Sequence, residues 1–95
     1  MRDDYERAQG QLEEARREYE TIGDRLGAAN CLKSLGNIST ARSEYERAQD
    51  QLEEARLEYE AIGSLLEAAQ CLWSLGDISR VRNNYERAQG QLEEA

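Results

Sequence analysis

The chain has 95 residues and a net charge of −8, and it contains no proline, phenylalanine or histidine. Its length allows one small domain, in the range where a core needs help from neighbouring elements. The acidity argues against a nucleic-acid surface, which needs clustered Lys and Arg. The missing histidines leave no basis for a His-containing metal centre or a Cys–His nucleophile.

The first expected element is a helix over 3–22. Tyr5, Ala8, Leu12, Ala15, Tyr19 and Ile22 recur at steps of three and four and draw one apolar stripe. Gly23 suits the position just past its end, where a positive φ is cheapest for glycine, and Asp24 can cap the next helix. The second helix, over 24–41, is apolar or small around most of its girth, with Leu26, Ala28, Ala29, Cys31, Leu32, Leu35 and Ile38. Such a helix is buried on more than one side. Gly36 in its interior costs ~1 kcal/mol against alanine. The expected return is close approach of a neighbouring helix near Ala48 or Ala8.

The third helix, over 43–62, repeats the first. YERAQGQLEEA at Tyr5–Ala15 returns as YERAQDQLEEA at Tyr45–Ala55 and, unchanged, at Tyr85–Ala95, a period of 40 residues. A fourth helix, over 64–81, repeats the second, and a truncated fifth runs over 83–95. Asp3, Ser43 and Asn83 each precede a glutamate three residues on, a capping signal for the odd-numbered helices; Ser64 with Glu67 reads as a capping box for the fourth. Gly63 repeats Gly23, and such glycine stops rule against one continuous coiled coil. Connections this short make sequential helices antiparallel.

A fixed period in this range marks a solenoid, in which each unit buries its apolar side against neighbours. The expected fold is therefore all-α: an α-solenoid of antiparallel helix hairpins in a single domain spanning 1–95. It holds about two repeats plus partial terminal helices and reads as a piece of a longer array. Cys31 and Cys71 fall at equivalent places. In stacked repeats they should lie ~8–10 Å apart, beyond the ~7 Å reach of a disulfide. Reduced core thiols, no apolar run of membrane-spanning length and an N-terminus unlike a signal peptide together fit a cytoplasmic protein without a membrane partner.

Leu32, Leu35 and Gly36, followed by Tyr45, Ala48 and Ala55, resemble the tetratricopeptide repeat signature; Leu72, Leu75, Gly76, Tyr85 and Ala88 are its second copy. The proline usual between repeats is missing, and the unit is longer than the common 34 residues. That is similar to the variants in kinesin light chains and in the sensor regions of signalling NTPases. The resemblance implies a superhelix whose first-helix face lines a concave groove for extended peptides. Fold alone brings no function with it.

The copies disagree on one face. Asn30/Gln70, Lys33/Trp73, Asn37/Asp77 and Thr40/Arg80 lie at steps of three and four, and the resemblance places them in the groove. Trp73 reads as an aromatic anchor, with Lys33, Asn37, Asp77 and Arg80 as polar contacts. The same pattern also fits a solvated face with relaxed requirements and a tryptophan laid over a neighbouring helix. Lys33 and Asn37 resemble the first two members of the carboxylate clamp of chaperone-binding relatives, although Ser74 stands where a later asparagine is expected.

Paired carboxylates at Glu13-Glu14, Glu53-Glu54 and Glu93-Glu94 lie on polar helix faces and read as solvated charge rather than acid/base pairs. No catalytic residue, cofactor or metal ligand is expected, and the chain does not read as an enzyme. The expected partners are a protein or peptide in the groove and further copies of the chain at exposed terminal helices. Copies would meet by end-to-end stacking or by exchange of a helix. The leading functional reading is an interaction scaffold; the alternative is a self-assembling structural module.

Overall fold

A computed structural model describes the backbone of residues 2–94 and the side chains of residues 4–90. It contains four helices, α1 (Arg2–Ile22), α2 (Arg25–Ala41), α3 (Tyr45–Ala61) and α4 (Leu65–Glu94), and no strand among the described residues. None of these helices is long and apolar enough to cross a membrane.

The glycine stops form as the sequence indicates. Gly23 and Gly63 both take φ +80. Around them the N–H groups of Asp24 and Ser64 donate to the carbonyls of Tyr19 and Tyr59, each at 2.8 Å, and satisfy acceptors that the helix ends leave open. Asp24 then caps α2, its Oδ1 accepting the Gly27 N–H at 2.9 Å. Between α2 and α3 the same turn is built without glycine: Ser43 takes φ 63, and Glu44 N–H donates to Ser39 O at 2.8 Å. Ser43 is therefore the turn residue and not the cap. Glu44 holds the cap position of α3 and makes no side-chain capping bond.

Adjacent helices run antiparallel. Along α2 in descending order, Ser39 bonds Gln51, Gly36 abuts Leu52 and Asn30 bonds Tyr59, in ascending order along α3. Ion pairs tie α1 to α3, Arg16–Glu54 at 2.7 Å and Arg47–Glu13 at 3.5 Å. On the other side Lys33 of α2 reaches Gln70 of α4. The helices thus lie in two rows, α1 with α3 and α2 with α4.

α3 is the centre of the core. Ala48, Leu52, Ala55 and Tyr59 are all fully buried, packed with Ala29 and Leu32 of α2 and with Ala68, Cys71 and Ile78 of α4. The stripe of α1 has the same sequence but one fewer neighbour. Its Ala8, Leu12, Ala15 and Tyr19 are half-buried, and Ile22 is exposed. Position in the stack, and not composition, sets the burial.

Two expectations need correction. The break before a fifth helix does not form: α4 continues through Arg82, Asn83 and Asn84 without interruption, so Asn83 is helix interior and not a cap. A break there would give up helical hydrogen bonds and force a non-glycine residue into the left-handed region, as at Ser43. At 42–44 that cost is offset by burying Ala48, Leu52, Ala55 and Tyr59. Beyond Asn84 the described members of the repeated stripe, Tyr85 and Ala88, are both exposed, so no comparable burial offsets a break. The helical hydrogen bonds win. α1 likewise starts by Arg2, which puts Asp3 inside the helix. The side chains of Asp3, Leu92, Glu93 and Glu94 lie outside the described residues.

The second correction concerns Gly36. A Cβ there would stand 2.6 Å from Leu52 Cγ, so the close neighbour is Leu52 and not Ala48 or Ala8. At Gly76 a Cβ would meet nothing within 4 Å.

Candidate functional site

Residues of the variable face come from both α2 and α4, and one contact joins the two helices across it. Lys33 Nζ donates to Gln70 Oε1 at 2.6 Å. The repeat places residues 30, 33 and 37 on one helix beside 70, 73 and 77 on the next, and this bond shows the two sets sharing one surface. Arg80 pairs with Asp77 at 2.6 Å, one turn along the same helix.

Not every expected site residue offers its polar group to a partner. Asn30 Oδ1 accepts from the Tyr59 hydroxyl at 2.5 Å and so serves the core. Thr40 Oγ1 donates to Gly36 O at 2.9 Å, a bond to the preceding turn of its own helix. Asn37, Gln70, Asp77 and Arg80 are exposed and Lys33 is half-buried. Trp73 is 79% exposed. It does not lie over a neighbouring helix, which removes the packing explanation for that residue.

Two members of this surface escape a comparison of mismatches. Leu26 and Leu66 precede Asn30 and Gln70 by four residues, which places them on the same helical rows. Both are exposed, Leu66 more so than Leu26. Because the copies agree at these positions, differences between repeats could not reveal them. A leucine one turn from an exposed residue of the face is the signal that could have. Leu66 and Trp73 therefore form an apolar strip on α4, bordered by Gln70, Lys33 and Asp77.

The chemistry elsewhere is that of a packed interior. Cys31 and Cys71 are free and buried, and burial pushes both thiols up from their ordinary value. Among the described residues no cluster of His, Cys, Asp and Glu could hold a metal ion. Tyr59 is pushed up to about 12, chiefly by burial and then by the nearby Cys71, Glu67 and Cys31.

The tyrosine gives a pH prediction. Below its ordinary value of 10.0 both folded and unfolded chains hold the phenolic proton. Between that value and about 12 the unfolded chain releases it while the folded one keeps it, so stability falls as pH rises. The buried thiols add a loss of the same sign from lower pH. Tyr59→Phe should flatten the upper part of the loss in chemical denaturation measured across this range, and leave the thiol part in place. An unchanged profile would mean that Tyr59 titrates freely in the fold.

No family model, curated protein or solved structure matches the chain. The surface of α2 and α4 must therefore be read from its own chemistry.

Proposed function

We propose that the protein is a non-enzymatic interaction scaffold of tetratricopeptide-like type, an α-solenoid that presents the α2/α4 face to a protein or peptide. The observation carrying this reading is the exposed Trp73, set on one helical row with the exposed Leu66 and beside a face shared by two helices. Burying large apolar groups is the main source of affinity in most associations. A tryptophan anchor surrounded by residues that exclude water is a common composition of a binding hot spot. Supporting the repeat reading, the helix-turn-helix unit of α1–α2 recurs in α3–α4. Its cross-helix bonds recur too: Arg42 donates to Gln9 at 2.7 Å, and Arg82 donates to Gln49 at 2.6 Å.

The face carries both signs of charge, Lys33 and Arg80 against Asp77, so apolar anchoring should dominate over charge steering. Two helices give a short surface, and the expected affinity for a peptide is weak.

Trp73 is the only tryptophan in the chain, which makes its fluorescence an unambiguous reporter. Titration with acidic-tailed and with basic peptides, each carrying a central apolar segment, should shift its emission to the blue. Trp73→Ala and Leu66→Asp should weaken binding more than tenfold when followed by calorimetry, as expected for hot-spot residues. Neither should change stability by more than about 0.5 kcal/mol, because both side chains are exposed. Saturable binding that survives both substitutions would move the site elsewhere.

A further inference from the structure

The interior α2·α3 interface has two unmated halves at opposite sides of the molecule. One is a face of α4. Leu32, at 3% exposure, Gly36 and Ser39 are buried under α3, whereas their repeats Leu72, at 50%, Gly76 and Ser79 are open. These three open residues line a groove between α3 and α4, with Gln49, Asp50 and Glu53 on its other wall. The second half is α1, whose sequence from Tyr5 to Ala15 differs from that of α3 at one position. Its side bearing Ala15, Glu18, Tyr19 and Ile22 lines an open cleft.

We propose that the 95-residue chain self-associates head to tail, with α1 of one copy seated in the α3/α4 groove of the next as α3 is seated on α2. The register follows from the interface already present. Gly36 against Leu52 becomes Gly76 against Leu12 of the second copy, and Ser39 donating to Gln51 at 2.7 Å becomes Ser79 donating to Gln11. Asn30, which accepts from the Tyr59 hydroxyl, is replaced by Gln70, whose carboxamide can accept from Tyr19 of that copy.

Charge agrees with this register. The α1–α3 pairs Arg16–Glu54 and Arg47–Glu13 translate by one period into Arg56 with Glu14 of the second copy, and Glu53 with its Arg7. Only the Arg25–Glu58 pair has no counterpart, since Leu65 stands at the repeat of Arg25. Because the two surfaces differ, the contact is heterologous, and repeating the step that carries α1 onto α3 adds each copy beyond the last and builds an open stack.

Sedimentation equilibrium of the 95-residue chain over roughly 1 µM to 1 mM tests this. The average mass should climb from 10.8 kDa past two copies and keep climbing. Gly76→Leu fills a space that is open in the single copy but taken by Leu12 of its neighbour in the stack. It should keep the far-ultraviolet helix signal and stay at the mass of one copy. Mixed with the unsubstituted chain in equal amount, it should shorten the stacks, because its intact α1 can still end them. Glu14→Arg, at an exposed position of α1, should weaken growth several-fold at low salt through like charge against Arg56. A strict monomer overturns the proposal, as does a mass that levels off at two copies, the sign of a closed helix-exchanged dimer. Undiminished growth of both substituted chains overturns it as well.

Discussion

Leu52→Ala should lower the unfolding free energy by about 2–5 kcal/mol in urea denaturation, the range for truncating a buried leucine. Leu52 is fully buried, with Gly36 directly against it and α2 and α4 on either side of its helix. The void left by three lost carbons cannot close easily, because the walls belong to different helices held apart by their own packing. Methyl groups that pack in a close-fitted interior lose both transfer free energy and contacts when the site stays open. In a protein of this size such a loss is a large share of the total stability. Lys33→Ala is the matched control: its ammonium reaches Gln70 on the surface, and its removal should change stability by less than about 0.5 kcal/mol. Small and equal effects at both sites would mean that the buried and exposed faces are reversed.

Gly36→Leu should cost about 3 kcal/mol, the upper part of the range for overpacking. Even a bare Cβ would stand 2.6 Å from Leu52 Cγ and 3.5 Å from Leu52 N, so the side chain and then the backbone of α3 must move. Helix propensity gains of somewhat under 1 kcal/mol offset only part of this. The same substitution one period later, at Gly76, meets open space and should leave the single copy as stable or slightly more so. Thermal melts at low protein concentration would separate the two. Equal losses at Gly36 and Gly76 would show that glycine serves backbone geometry at these positions and not helix approach.

The helices, their order and their glycine-terminated ends were legible because each rests on local physics: stripe periodicity, the φ that glycine accepts, and a side chain able to cap. Gly23, Gly63 and Asp24 behave as their local chemistry requires. The uninterrupted α4 was not legible, because the signal at Asn83 is the same kind as that at Ser43. The difference is tertiary: Ala48, Leu52, Ala55 and Tyr59 of α3 are buried between helices, whereas Tyr85 and Ala88 are exposed. Gly27 was also missed. A Cβ there would stand 2.5 Å from the Tyr19 ring, yet its repeat is Glu67, so the copies gave no common signal.

At the candidate site, two of the mismatched positions, Lys33 of α2 and Gln70 of α4, are in contact, which places the two helices side by side there. The chemistry of the mismatched positions was less legible. Asn30 and Thr40 have their oxygens engaged within the fold, a matter of which neighbour lies in reach and not of residue type. Leu66 was invisible to a comparison of repeats because Leu26 matches it, although it is exposed on the same helical row as Trp73.

The common thread is that identical sequence acquires different weight from its place in the stack. Leu12 and Leu52 occupy the same position of the same stripe, but Leu52 has helices on both sides and Leu12 on one. Denaturation of Leu12→Ala and Leu52→Ala side by side, at the lowest protein concentration the signal allows, measures that difference directly. The expected result is a loss at Leu52 clearly larger than at Leu12, by about 1 kcal/mol or more given the spread seen for leucine truncations. Equal losses would contradict the account, since they would mean that neighbouring helices add nothing to what each stripe buries alone.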